Sequence, residues 1–460
     1  MTLNSKSIGI AVGIIVFAGL MLIPIDGLSG DGQLFLALTM MTVAFWAFQV
    51  AHAGFVSGLY LALLVILRVA EPSVVFSPWI GSTMYFIIGA YLIAAAVKKS
   101  GLGERIAMHV ISLYITSFGS IIISIFMLHV FLSLLIPNSW ARSFIIMSVM
   151  KQIIDNANLS KKDAVTIGFT VFAASVPTSM IFMTGESAVN LVILQYAGVS
   201  ISWLEWLLYM GPPGIAATLL TLAVILVMFK PEREVTIDKG IVQKRLADMG
   251  KLSSTEVRVI IWLAAAILIW MTDSLHGIDI GWATLALTMV MGMPFIGNIV
   301  SAKEWNEVPI HILIFFTAAI AIGRVGEVTG KNDFLADLMF PSYAPQNIFV
   351  MAALIALIAK IIHMLLGSVI AVLSVVIPAV MIFTAPLNIN PLIPMFIVYV
   401  VVFGHYLFPF HNISILVGIG EENGMYSDRE IRRISFPLFI MVFIVILAVQ
   451  LPWWRLIGLY

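Results

Sequence analysis

The chain has 460 residues, of which 61% are hydrophobic and 10% charged, with a mean hydropathy of +1.08. That composition excludes a soluble globular domain, and the apolar blocks reach the roughly 20 residues that cross a bilayer as a helix. Formal net charge is zero and cysteine is absent, which excludes disulfides, thiolate metal centres and thiol catalysis.

The first apolar block, residues 8–25, is too long for the h-region of a signal peptide and lacks a small-residue cleavage site, so it reads as a membrane helix. Further spans are predicted over 33–50, 55–71, 80–97, 162–196, 205–229, 257–272, 279–297, 308–325, 392–420 and 434–452, eleven with the first. With the N-terminus inside, most lysines and arginines fall on one side, among them Lys98, Lys99, Arg105, Lys161, Lys162 and Arg432. Arg68, Arg324, Lys331 and Arg455 fall on or near the other. The positive-inside rule makes the first side cytoplasmic and anchors Trp453-Trp454 at the outer interface of an inner membrane.

Two apolar stretches do not fit a single crossing. Residues 119–152 are interrupted at Pro137-Asn138-Ser139 and residues 346–386 at Gly367-Ser368, and each reads as a re-entrant helical hairpin. Backbone unwinds at membrane depth only where protein or a water-filled cavity satisfies it. A crossing that breaks mid-membrane is expected after each hairpin. The first carries Pro177-Thr178-Ser179 and Thr184-Gly185-Glu186-Ser187; the second carries Pro409-Phe410-His411-Asn412 and Gly418-Ile419-Gly420.

Five crossings between the hairpins make the second enter from the opposite face, an inverted repeat whose paired interruptions point to a midplane site. The division is then 1–118 scaffold, 119–204 first transport unit, 205–345 linker and scaffold, 346–425 second transport unit, and 426–460 C-terminal helix. The charged segment 230–258 reads as a cytoplasmic linker without chemistry.

Asn138 and Ser139 bring an amide and a hydroxyl to a hairpin tip, where helix N-termini favour anions and C-terminal carbonyls favour cations. An ordinary Pro-Asn-Ser turn is the plainer reading. Arg142 and Glu186 are the acid and arginine buried in the first unit, and ionisable groups there are costly enough to be functional by default. They form an ion pair, or Arg142 meets the substrate anion while Glu186 takes a cation or proton.

In the second unit Lys360 and His363 lie one helical turn apart, and His405 and His411 fall in the broken helix. A neutral histidine donates to a carboxylate and titrates near physiological pH. Snorkelling or a charge partner accounts for Lys360 as readily as transport. His52, His109, His129, His276 and His311 show no partner pattern. Walker A, His-Glu-x-x-His and Gly-x-Ser-x-Gly motifs are absent, so an enzyme is not indicated.

At these two repeats the sequence resembles the divalent anion:sodium symporter family, carriers of dicarboxylates, citrate and sulfate. Members carry Ser-Asn-Thr at each hairpin tip and a Gly-Thr-Pro-Pro-Asn-like loop in each broken helix, surrounding two sodium ions and one anion. The resemblance implies an all-α elevator-type transporter that dimerises through a scaffold. It implies a substrate site at Asn138, Ser139, Thr184, Gly185, Ser368, His411 and Asn412, and a first sodium site at Ser133, Pro137, Asn138 and Thr184. The second tip departs from the pattern: its positions fall on Ser368-Val369-Ile370, with Met364 one turn earlier. Valine, isoleucine and methionine offer no hard oxygen to sodium.

The expectation is a secondary transporter of small divalent organic anions, C4-dicarboxylate-like, with sodium as coupling ion and at most one well-formed sodium site. A sodium-independent exchanger or proton-coupled carrier of the same fold is the alternative, and an anion channel a distant one. Expected partners are the substrate anion, the lipid bilayer and a second copy of the chain, with no nucleic acid.

Overall fold

The computed structural model describes residues 5–156, 159–232, 239–404, 411–418 and 426–460. Among them every regular element is helical; helices of nine residues or more are numbered here in chain order. Pro409, Phe410, His405, Ile419 and Gly420 of the expected second loop lie outside the described residues.

The chain opens with α1 (Ser5–Leu22) lying along α2 (Gly30–Ala47), then α3 (Ala53–Ile66). α4 (Thr83–Ser100) ends at Gly101, whose φ of 76° turns the chain by 65° into α5 (Leu102–Tyr114). A Cβ strains that left-handed backbone, which is why glycine closes the helix. α6 (Phe118–Leu135) and α7 (Ser139–Asn156) pack together around the break at 136–138. α8 (Lys161–Ser179) has Pro177 in its last turn and gives way to a 3-10 turn, Met183–Glu186, before α9 (Ser187–Ala197). α10 (Trp203–Met228) then returns across the molecule, started by a Ser202–Glu205 capping box.

After α11 (Lys239–Met249), α12 (Ser254–Met271) and α13 (Ile280–Gly292), the same order of elements recurs. α14 (Ile310–Val328) gives way at Gly330, φ 74°, to the short α15 (Lys331–Met339). α16 (Ile348–Leu366) and α17 (Val369–Thr384) pack together around Gly367-Ser368. α18 (Leu392–Phe403), a 3-10 turn at Ile413–Gly418 and α19 (Asp428–Ile444) complete it, α19 running on through a π turn at Val445–Gln450. Both expected hairpins are therefore helix–break–helix units, and the expected span 162–196 is two elements.

Seven described helices are long and apolar enough to cross a membrane, eight if the bent α4–α5 pair is one span. Three of the seven are hairpin arms, so length alone does not separate arms from crossings. α5 and α15 were not anticipated: each is short and mixed in polarity, without a span-length apolar run. α5 is tied to the linker by Arg105, whose guanidinium reaches Glu256 at 2.5 Å and the carbonyls of Gly250 and Met249 at 2.9 and 3.0 Å. The 230–258 segment thus holds α5 in place. In α15, Lys331 is fully buried, its Nζ donating to the Ile322 carbonyl at 3.2 Å above the Phe35 ring.

The two halves share one core. α9 packs on α17 and α18, and the Tyr399 hydroxyl of α18 donates to Asn190 Oδ1 of α9 at 2.6 Å.

Candidate functional site

Helix breaks leave unpaired backbone groups that must find partners, and here the partners define the site. At the first tip Asn138 caps α7, its Oδ1 accepting the Ala141 amide at 2.9 Å. The amide of Ser139, the first residue of α7, donates to Glu186 Oε2 at 2.8 Å. Pro137's carbonyl accepts twice from Ser187, from the hydroxyl at 2.8 Å and the amide at 3.3 Å. The tip is thereby laced to the 3-10 turn that breaks the following helix.

Arg142 completes the lacing. Fully buried, it donates from Nη1 to the carbonyls of Ile136 at 2.6 Å and Gly185 at 2.5 Å, and from Nη2 to Ser179 Oγ at 2.6 Å. The anticipated Arg142–Glu186 ion pair does not form: the guanidinium is spent on backbone carbonyls, and Glu186 sits instead at the N-terminus of α7. Gly185 is required where it stands, because a Cβ there would meet the Ser179 carbonyl at 2.6 Å. Asn190 was missed as a positioning residue. Its amide donates to the carbonyls of Ser179, Phe182 and Met183, taking up the groups freed where α8 ends.

A cavity of about 320 Å³ lies where the two tips meet. Asn138, Ser139 and Glu186 line it from the first unit, and Ser368, His411 and Asn412 from the second. Thr184 and Gly185 do not reach it. Thr184 is buried with its hydroxyl accepting from Trp203 Nε1 at 3.3 Å, and Gly185 is held in the turn by Arg142. Ser133 is buried one turn before the tip, donating to the Val130 carbonyl at 2.7 Å and leaving its lone pairs open. Of the expected sodium ligands only Asn138 lines the cavity.

At the second tip Ser368 caps α17, and Val369 and Ile370 present apolar side chains to the same cavity. His411 lies against His363, ring centroids 4.8 Å apart. Lys360 points away, donating to the Phe439 carbonyl at 2.8 Å with its ammonium over the Phe439 ring.

The wall opposite the tips comes from α3, α4 and α14. His52 and His311 meet edge to face at 4.6 Å there, beside Tyr91. They stand far apart in the chain and carry no motif, so nothing in the sequence joins them. A second cavity, about 700 Å³, shares His52, Tyr91, Asn138 and His311 and extends to the exposed Lys98–Glu307 pair, 3.1 Å. The site therefore opens towards the surface at Lys98 and Glu307. Among the described residues no lysine or arginine lines the inner cavity. An anion there meets the N-termini of α7 and α17, each adding about half a positive charge, the first already shared with the Glu186 carboxylate, with hydroxyl, amide and imidazole groups around them.

The family model described as "Sodium:sulfate symporter transmembrane region" matches residues 4–460, essentially the whole chain. The chain belongs to this family. It is accordingly a multi-pass membrane transporter. A Cupriavidus necator protein described as "Membrane protein" is 24% identical, covering 94% of this chain and 89% of its own length. The sodium-dependent dicarboxylate transporter SdcS of Staphylococcus saprophyticus is 22% identical over 72% of this chain and 69% of its own. Among solved structures the Alcanivorax borkumensis YdaH transporter superposes with a TM-score of 0.52, covering 93% of this chain and 98% of that one. At 13% identity that likeness speaks to the fold alone.

Proposed function

We propose that this family member is a secondary transporter of small dicarboxylates, coupled to sodium through the first unit. The observation that carries the reading is the meeting of two long-helix N-termini, α7 and α17, at one cavity that no described lysine or arginine lines. Such an arrangement takes an anion by backbone dipoles, which release it more readily than a fixed cation would. The dicarboxylate named for the staphylococcal relative supports the substrate class. In this reading Asn138, Ser139, Ser368, His411 and Asn412 contact the anion, with Thr184 and Gly185 shaping the turn behind them. Ser133, the backbone near Pro137, Asn138 and Thr184 supply sodium with oxygen.

The units 119–204 and 346–425 move together as an elevator body against a scaffold of the remaining helices, with α5 and α15 as the connecting arms. Two copies pair through the scaffold in a bacterial inner membrane, N-terminus in the cytoplasm and C-terminus outside. A proton-coupled or exchange cycle is the second reading. Val369 and Ile370 favour it, because they reduce the side-chain oxygens of the Ser368-Val369-Ile370 tip to the Ser368 hydroxyl; Glu186 at the first tip favours it too.

The test is uptake of labelled succinate by the full chain in proteoliposomes under a sodium gradient, a pH gradient, and succinate preloading. Saturable uptake driven by sodium with a Hill coefficient near 1 is expected. Uptake driven only by pH or by counter-substrate selects the second reading, and no dicarboxylate uptake under any condition refutes the substrate class.

A further inference from the structure

Three helix ends converge away from the transport site: the start of α8, the end of α10 and the start of α19. Between them lies a cavity of about 950 Å³. Five cations line it, Lys161, Lys162, Arg429, Arg432 and Arg433, against two carboxylates, Glu232 and Glu430. Both carboxylates are engaged. Glu232 lies 3.5 Å from Lys162, and Glu430 caps α19 by accepting from the Ser427 amide at 2.9 Å. Asp163, buried beneath, accepts the Glu232 amide at 3.3 Å and draws the start of the linker over α8. Among the described residues the cavity keeps a positive surplus even counting Asp163.

The floor is apolar. Val165, Phe169 and Phe229 form it, and the Arg433 guanidinium lies over the Phe229 ring at 5.3 Å. The positive-inside bias alone explains cations near a membrane face, but not their gathering around an aromatic-floored hollow. α10 ends here and α19 begins here as apolar span-length helices, so the cavity sits at the level of the lipid headgroups. The N-termini of α8 and α19 add their dipoles to the same spot.

A lane leads from the cavity into the hydrocarbon. Arg432, Phe436, Ile440 and Ile444 recur every four residues on one face of α19, and the three apolar ones are 68%, 55% and 48% exposed. Cations at the top of an apolar stripe match a molecule with an anionic head and a hydrocarbon tail.

We propose that this cavity binds the phosphate headgroup of an anionic phospholipid, with an acyl chain lying along Phe436, Ile440 and Ile444. The lipid bridges α8 and α19, which belong to different halves of the chain. A free phosphate would satisfy the cations but leave the apolar stripe unused.

Native mass spectrometry of the full detergent-purified chain tests this with dioleoylphosphatidylglycerol, dioleoylphosphatidylcholine and soluble glycerol phosphate as probes. Wild type should retain phosphatidylglycerol in preference to phosphatidylcholine. The double variant Arg429→Gln/Arg432→Gln should weaken that retention roughly thirtyfold, at about fivefold per surface cation. Arg429→Lys/Arg432→Lys, which keeps the charge, should retain it, and this pair reports on the site should the glutamine pair fail to fold. Phe436→Ser should weaken phosphatidylglycerol as well. Equal retention of the two lipids, full retention by a folded glutamine variant, or displacement by equimolar glycerol phosphate would each overturn the proposal.

Discussion

Arg142 separates two physical pictures of the first unit. If it is a staple, as its contacts indicate, Arg142→Met removes three hydrogen bonds at once: to the carbonyls of Ile136 and Gly185, and to Ser179 Oγ. Hydrogen bonds to a charged group contribute roughly 1.5–3 kcal/mol each, about 6 kcal/mol together. Relief from burying an ion returns part of this, leaving a net loss of about 3 kcal/mol. That is a large share of a total stability of roughly 5–15 kcal/mol. Detergent-purified Arg142→Met should therefore melt well below wild type when followed by tryptophan fluorescence, and succinate uptake should fall in parallel because the tip and turn come apart. Arg142→Lys restores charge without the planar fork and should recover only part of the stability. A variant that melts like wild type while losing only uptake would mean that Arg142 meets the substrate, and the staple would be refuted.

Cysteines at Ser117 and Asn347, the exposed N-caps at the bases of the two hairpins, scored by an impermeant maleimide from either side of sealed vesicles, should react from opposite sides; same-side reactivity removes the inverted repeat. Asn138→Ala and Ser139→Ala should abolish succinate uptake while leaving expression and elution volume close to wild type, the lost cap at Asn138 costing about 1 kcal/mol. Burial alone would push the Glu304 carboxyl up, but hydrogen bonds from Ser301 and Lys99 and the lysine's charge bring it down to about 2. Since its folded value lies below the unfolded one, its contribution is present above about pH 4.5 and lost as pH falls through 2. Glu304→Gln should accordingly be less stable than wild type at neutral pH, the gap closing over that interval; a gap independent of pH contradicts the assignment. Glu186→Gln should retain succinate binding, read by thermal shift, but lose the stimulation of uptake by a sodium or proton gradient; unchanged stimulation takes Glu186 out of coupling.

Much of the architecture was legible because the bilayer makes polar breaks conspicuous. Pro137-Asn138-Ser139 and Gly367-Ser368 stand out inside apolar runs, and the helices break within a residue of them. α5 and α15 escaped notice because a short helix of mixed polarity has no span-length signature, although Gly101 and Gly330 mark both bends. Within the site, residue types were readable but directions were not. Thr184 and Arg142 sit at the right places in the chain, yet the 3-10 turn at Met183–Glu186 aims Thr184 at Trp203 and brings the Gly185 carbonyl to Arg142. His52 and His311 converge only because α3 packs along α14.

The two tips are not equivalent, and the difference bears on how charge is managed in a cycle. At the first, the protein's own carboxylate, Glu186, already accepts from the leading amide of α7. At the second, Ser368 caps α17 with a neutral hydroxyl beside Val369 and Ile370. A dianion between them finds one helix dipole open and the other engaged with like charge. Repulsion between carboxylates falls only when a cation or proton joins Glu186, or when Glu186 leaves the amide. In the proposed coupled cycle the seat of coupling is the first unit, at Glu186 beside Asn138, because among the described residues no carboxylate lines the cavity from the second unit. In that proposed cycle the anion binds more tightly once a cation or proton has joined Glu186. By linkage the anion tightens the cation equally.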